Sequence, residues 1–183
     1  VGCPLIRVGA PRGYDGSTNY FTLYDEAVRA YENVLPITRA SGVRCVIEIH
    51  GGTIMVSASL AHRILSNFDP ADIGTIYDPQ NLVTDGYETI PLALDLLGRY
   101  LAHVHIGGHR AVPAAPADNG TIAWSYPSCR LEEGCYNYPR LIAELQKRGY
   151  QGYISLEDFD ATRTPEQRLR DAIAYLRRLD PVR

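Results

Sequence analysis

Four residues each sit at or just past the C-terminal end of a different apolar, strand-like run. They are Glu48 in VIEIHGG, Asp78 in TIYDPQN, His105 in LAHVHIGGHR and Glu157 in YISLEDF. Three carboxylates and an imidazole brought together would repel and raise one another's pKa unless a cation sat among them. The set is hard and oxygen-rich, suited to Mn²⁺, Mg²⁺ or Co²⁺ and less to a structural Zn²⁺ site. Octahedral coordination leaves positions for two substrate oxygens, as a hydroxy-carbonyl compound would require. Taken singly, each residue has an ordinary reading. A strand-end glutamate is commonly solvated or salt-bridged, and Asp78 before Pro79, like Asp158, is a turn former. Recurrence on successive strands is what argues for a site.

The stretch Tyr100 to Arg110 is the densest of these. Strand alternation over 101–106 puts Leu101, His103 and His105 on one face and Ala102, Val104 and Ile106 on the other. His103 lies a layer deeper than His105, which fits a hydrogen-bonded supporting role better than ligation. Gly107 and Gly108 break the strand and allow a close backbone approach, and His109 and Arg110 follow directly.

The positioning elements follow from hydrophobic periodicity. Strands are expected over 5–8, 43–49, 73–77, 101–106 and 153–156. Helices are expected over 22–40, with Leu23, Ala27, Ala30, Val34 and Ile37 inward and a kink or boundary at Pro36, and over 60–68 and 91–98. A fourth begins after an Asn137 cap and ends at Gly149. The last is opened by the capping box Thr164-Pro165-Glu166-Gln167 and runs to about Leu179, with Leu169, Ile173 and Leu176 inward. Residues 9–19 read as a Gly/Pro-rich loop. Residues 111–136 form a long loop, a length usually functional or disordered. The order is strand-helix repeated, with no hairpin signal and no internal repeat, which demands a parallel sheet covered by helices.

At 183 residues with a net charge of −3, the chain reads as one domain, 1–183, large enough for a real core. A single lysine, Lys147, and a mildly acidic balance exclude a nucleic-acid face, which needs clustered Lys and Arg. There is no membrane-length apolar run and no signal peptide, so a cytoplasmic location is expected. Cys3 and Cys45 read as small hydrophobes. Cys129 and Cys135 share one loop without CxxC spacing and read as unrelated thiols, with pairing or metal binding as the alternative.

The segments IEIHGGT, GTIYDPQNL, LAHVHIGGHR and RGYQGYISLEDF, in that order and spacing, resemble the sugar phosphate isomerase/epimerase superfamily with the xylose isomerase-like TIM barrel. The resemblance covers nearly the whole chain. It implies a (β/α)8 TIM barrel of which this chain holds strands four to eight, about the last five βα units. A full barrel needs about 250 residues. The Val1 start, running almost at once into a strand, fits a piece of a longer protein. The N-terminal βα units are then missing, and the open barrel edge needs a partner chain, a homo-oligomer or the rest of the barrel to cover it.

The resemblance further implies one divalent metal ion, Mn²⁺ first and Mg²⁺, Co²⁺ or Zn²⁺ as alternatives, held by Glu48, Asp78, His105 and Glu157. Glu48 and Glu157 would be the catalytic pair of a sugar or keto-sugar isomerase or epimerase. They would take and return a proton next to a carbonyl through a metal-stabilised enediolate. His50, Asn81, His109 and Arg110 are expected to bind a small-molecule sugar or keto-sugar. Trp124, Tyr126 and Glu133 fit an aromatic lid or ordinary loop packing equally. The rival on the same scaffold is a lyase or dehydratase, of the inosose dehydratase or 3-keto-glycoside-cleaving type, in which β-elimination replaces reprotonation. A non-catalytic barrel subunit is the third reading. The superfamily's apurinic endonucleases are set aside because they need a trinuclear zinc site with more histidines and a basic face.

Overall fold

A computed structural model describes residues 2–10, 14–85 and 88–179, without the side chains of 83–85. Val1 and the middle of the loop expected over 9–19 lie outside the described residues. In chain order the principal elements are β1 (Leu5–Val8), α1 (Tyr20–Ala40), β2 (Arg44–Glu48), α2 (Ala58–Leu65), β3 (Ile73–Tyr77), α3 (Pro79–Asp85), α4 (Ile90–Leu97) and β4 (Leu101–Ile106). There follow four two-residue strands, β5 (Gly108–His109), β6 (Val112–Pro113), β7 (Trp124–Ser125) and β8 (Ser128–Cys129). The chain then continues through α5 (Tyr138–Lys147), β9 (Ile154–Leu156) and α6 (Pro165–Leu179). All five expected strands form, in one sheet of order β1-β2-β3-β4-β9.

Cα proximity divides the chain into two compact units, Val1–Val104 and His105–Arg183, and the division falls inside β4. In the first unit the ladder is parallel, with Arg7 beside Val46, Ile47 beside Thr75 and Tyr77 beside Val104. From Cys45 onward β2 is buried at every position, and so is all of β3, as in a parallel sheet covered on both faces. Ala58, Ala61, Ile64 and Leu65 of α2 and Ala93, Leu94 and Leu97 of α4 belong to the same core. Gly74 is where a side chain will not fit. A Cβ there would stand 2.7 Å from the Tyr100 carbonyl oxygen and 2.7 Å from Nη2 of Arg44.

In the second unit, Tyr138, Leu141 and Leu145 of α5 are buried together with Ile106. The Asn137 side chain accepts from Arg140 N at 3.0 Å, as its capping role requires. The capping box also closes as expected, with Thr164 N donating to Gln167 Oε1 at 2.9 Å and Gln167 N to Thr164 Oγ1 at 3.3 Å.

Three expectations are corrected. The buried face of α1 is Ala27, Tyr31, Leu35 and Thr38, and Ile37 is 67% exposed. Tyr31 turns inward because its hydroxyl donates to Gly9 O at 3.0 Å and its ring meets Phe68 edge-on. Pro36 does not end this helix. In α6, Ala172 is the buried residue, while Leu169 and Ile173 are exposed. Ile173 and Leu176 line an apolar groove of about 320 Å³ with Ile142, Tyr153 and Ile154. The loop expected over 111–136 carries antiparallel pairing, β6 with β7 and β5 with β8.

Gly74→Ala should therefore destabilise the protein by about 1–3 kcal/mol, since backbone and a half-buried guanidinium must move to admit one methyl group. Chemical denaturation should show a lower midpoint at unchanged slope.

Candidate metal and sugar site

Each unit supplies two of the four strand-end residues. In the first, Glu48 closes β2 and is buried. Arg7 stands beside Val46 in the ladder, and Val46 and Glu48 share a face, so Arg7 reaches the Glu48 carboxylate and pairs with its Oε2. Asp78 follows β3 and is 2% exposed. Its Oδ1 accepts from Gln80 N at 2.8 Å, which makes it the cap of α3, and its Oδ2 accepts from Asn81 Nδ2 at 2.7 Å. The same Asn81 nitrogen donates to Ile49 O at 3.2 Å and so ties Asp78 to the chain just beyond Glu48. Asn81, expected to meet substrate, is seen here orienting a carboxylate.

The loop after Glu48 is locked by Thr53, whose hydroxyl donates to His50 O at 2.7 Å and accepts from Met55 N at 3.0 Å. His50 Nδ1 lies 2.7 Å from Gly51 O, so that nitrogen carries the proton and Nε2 is the acceptor in the neutral ring. Glu48, His50 and Thr53 line a pocket of about 330 Å³ with Arg7, Val8, Gly9 and Ala10. That volume is within the range of small-molecule sites.

In the second unit, His105 Nδ1 lies 3.1 Å from Oε1 of Glu157. Glu157 N donates to Ile106 O at 2.8 Å, which sets the glutamate just past the neighbouring strand. Tyr138, absent from the sequence expectations, fixes the chain after His105. Its buried hydroxyl donates to Gly107 O at 2.6 Å and accepts from Gly107 N at 2.9 Å. The close approach expected of the two glycines is realised at Gly108. A Cβ there would lie 2.3 Å from Cys129 O and 2.5 Å from Arg130 O, so the neighbour is the loop's own backbone.

Past Glu157 the chain is held by Arg163, also unforeseen. Its guanidinium bonds Asp158 Oδ2 at 2.8 Å, Asp160 Oδ2 at 2.8 Å and Asp171 Oδ2 at 3.1 Å. The Thr162 hydroxyl, then Arg163, hold the Asp160 carboxyl well below the usual carboxylate range.

His109 is half-buried, and burial pushes its pKa down, partly offset by Asp158. Arg110 is exposed, and its backbone N–H donates to Pro127 O at 3.1 Å. Trp124 is exposed on β7, Tyr126 is half-buried and Glu133 lies in a short 3-10 turn. All four cysteines are free, with Cys45 and Cys129 buried.

Glu48, Asp78, His105 and Glu157 each offer one ligand atom, and these atoms lie within 4.8 Å of one another. With donor distances of about 2.1 Å, neighbouring ligands of an octahedron lie about 3 Å apart and opposite ones about 4.2 Å. The 3.1 Å between His105 and Glu157 matches an octahedral edge, and the 4.8 Å limit calls for a slight contraction. The donor set fits a hard divalent cation.

Strand-end carboxylates and an imidazole on successive parallel strands define a (β/α)-barrel protein with its polar site at the carboxyl ends. The chain belongs to the xylose isomerase-like TIM barrel family, whose profile matches residues 1–179. It resembles an inosose dehydratase from Geobacillus kaustophilus, 23% identical over 142 residues that cover 73% of this chain and 45% of that protein. The apo structure of the 3-keto-D-glucoside 4-epimerase from E. coli superimposes with a TM-score of 0.70 at 20% identity, over 94% of this chain and 63% of that one. A xylose isomerase-like TIM barrel protein from Mycobacterium smegmatis, solved in complex with magnesium, gives a TM-score of 0.71 at 18% identity, over 97% and 61%. The chain spans about half the length of the curated relatives it matches, 52% of one and 45% of another. Among the described residues no helix is long and apolar enough to cross a membrane.

Tyr138→Phe removes both bonds to Gly107 from a buried position and should cost about 1–3 kcal/mol. Hydrogen exchange at the Gly107 amide should accelerate more than exchange in α1.

Proposed function

We propose that this chain carries the cation-binding and proton-transferring part of a sugar isomerase or epimerase acting next to a carbonyl. The observation that carries the reading is the closeness of the four ligand atoms, two of which belong to glutamates. Glu48, Asp78, His105 and Glu157 would hold one divalent cation. When bound, that ion polarises a carbonyl oxygen and lowers the acidity barrier at the neighbouring carbon. Mn²⁺ and Mg²⁺ both suit the donor chemistry, and the magnesium bound by the M. smegmatis protein supports the choice of a hard ion.

The chain's own residues divide the rest of the work. Glu48 and Glu157 are the bases: one removes the proton beside the carbonyl and the other returns it to the opposite face. Asp78 is held by Gln80 and Asn81 in an orientation that leaves it a charge-balancing ligand. The Glu48 carboxylate is fixed by Arg7, and the chain after Glu157 is fixed by the Arg163 network. His50 lines the pocket beside Glu48 as a hydroxyl acceptor. His109 and Arg110 belong to the proposed substrate-facing groups of the segment after His105.

A dehydratase is the second reading, favoured by the inosose dehydratase relative. It shares the proton abstraction and differs in the fate of the carbanion.

The test is incubation of the Mn²⁺-supplemented protein with keto-sugars in D₂O, followed by mass and NMR analysis. Exchange of the α-proton with conserved mass is expected, and a fall of at least about 100-fold in Glu48→Gln and Glu157→Gln. Loss of water with a new unsaturated product would move the dehydratase ahead. Exchange unchanged in both variants would remove the glutamates from the reaction.

A further inference from the structure

The pocket beside Glu48 has one side-chain cation in its wall. Arg7 contributes its guanidinium to that pocket and is 46% exposed. Among the described residues its partner is Oε2 of Glu48, through Nη2, so the rest of its planar fork faces no protein acceptor.

The other lining groups offer little to an anion. The Thr53 proton is committed to His50 O, His50 Nδ1 is committed to Gly51 O, and Glu48 is itself an acceptor. Val8, Gly9 and Ala10 bring no polar side chain. A substrate hydroxyl can therefore donate to His50 Nε2, whereas a group made of acceptors alone has Arg7 as its side-chain partner. The fork geometry of a guanidinium suits two parallel oxygens of a carboxylate or phosphate. Charge points the same way. Once Glu48 shares its charge with a divalent cation, Arg7 is under-neutralised in a partly enclosed pocket and attracts a second anion.

We infer that the substrate carries an oxyanionic group, carboxylate or phosphate, that docks on Arg7 while its carbonyl region lies toward Glu48. This inference rests on the isomerase reading and names its substrate class.

The experiment is calorimetric titration of the Mn²⁺-loaded protein with three probes: D-fructose as the neutral ketose, D-fructuronate as the carboxylate and D-fructose 6-phosphate as the phosphate. Parent, Arg7→Lys and Arg7→Met are compared, with bound Mn²⁺ and thermal unfolding read for each. The parent should bind one of the charged probes about tenfold or more tighter than fructose. Arg7→Met should lose that preference, and Arg7→Lys should keep part of it, because the charge remains and the fork is gone. Whichever charged probe is preferred identifies the source of the oxyanion. A parent that holds Mn²⁺ but binds fructose as tightly as both charged probes overturns the inference and leaves the isomerase reading standing. A folded, Mn²⁺-holding Arg7→Met that keeps the preference overturns it equally. A parent that takes up no Mn²⁺ overturns both.

Discussion

Crowding of like charge is the constraint on which the site depends. Three carboxylates have ligand atoms within 4.8 Å of one another, accompanied by an imidazole. At an effective dielectric of 20, one such pair of charges costs roughly 3–4 kcal/mol. Partial relief comes from the chain itself. Arg7 pairs with Glu48, and the Asn81 amide and the Gln80 N–H bond Asp78. These contacts hold the carboxylates in place without cancelling their summed charge, and a divalent ion would cancel most of it. The arrangement makes physical sense as a cation cradle and little sense as a core.

Rigidity in each unit comes from backbone tied to side chains away from the ligands. In the first, Asn81 links Asp78 to Ile49, and Thr53 links His50 to Met55, so the segments after β2 and β3 are stiff where they leave the sheet. In the second, Tyr138 clamps Gly107 and Arg163 gathers Asp158, Asp160 and Asp171. Both devices stand within three residues or so of a ligand along the chain or beside it, and hold its backbone through buried or nearly buried groups. Such support is what keeps ligand atoms at productive distances.

The strands were legible because each is a short apolar run ended by a polar residue, and the four ligands were legible because they recur at those ends. Helix faces were less so. In α1 both 23/27/30/34/37 and 27/31/35/38 are helical spacings, and only the hydrogen bond from Tyr31 to Gly9 selects the second. In α6 the residues read as inward, Leu169 and Ile173, are exposed, since apolar spacing shows which face needs a partner and not whether the described chain supplies it. The two-residue ladders of β5 to β8 are too short to leave a periodic trace. Arg7 could have been found as the one charge inside LIRV, and Arg163 as a lone guanidinium amid aspartates. Tyr138 gave no signal beyond its place at a helix start.

The most direct measurement is the divalent metal content and Mn²⁺ affinity of the purified protein beside Glu157→Gln. Stoichiometric metal in the parent, weakened about 10–100-fold or lost in the variant, is the predicted result. An absence of metal in both, under conditions where the parent is folded, would contradict the cation cradle and with it the central claim.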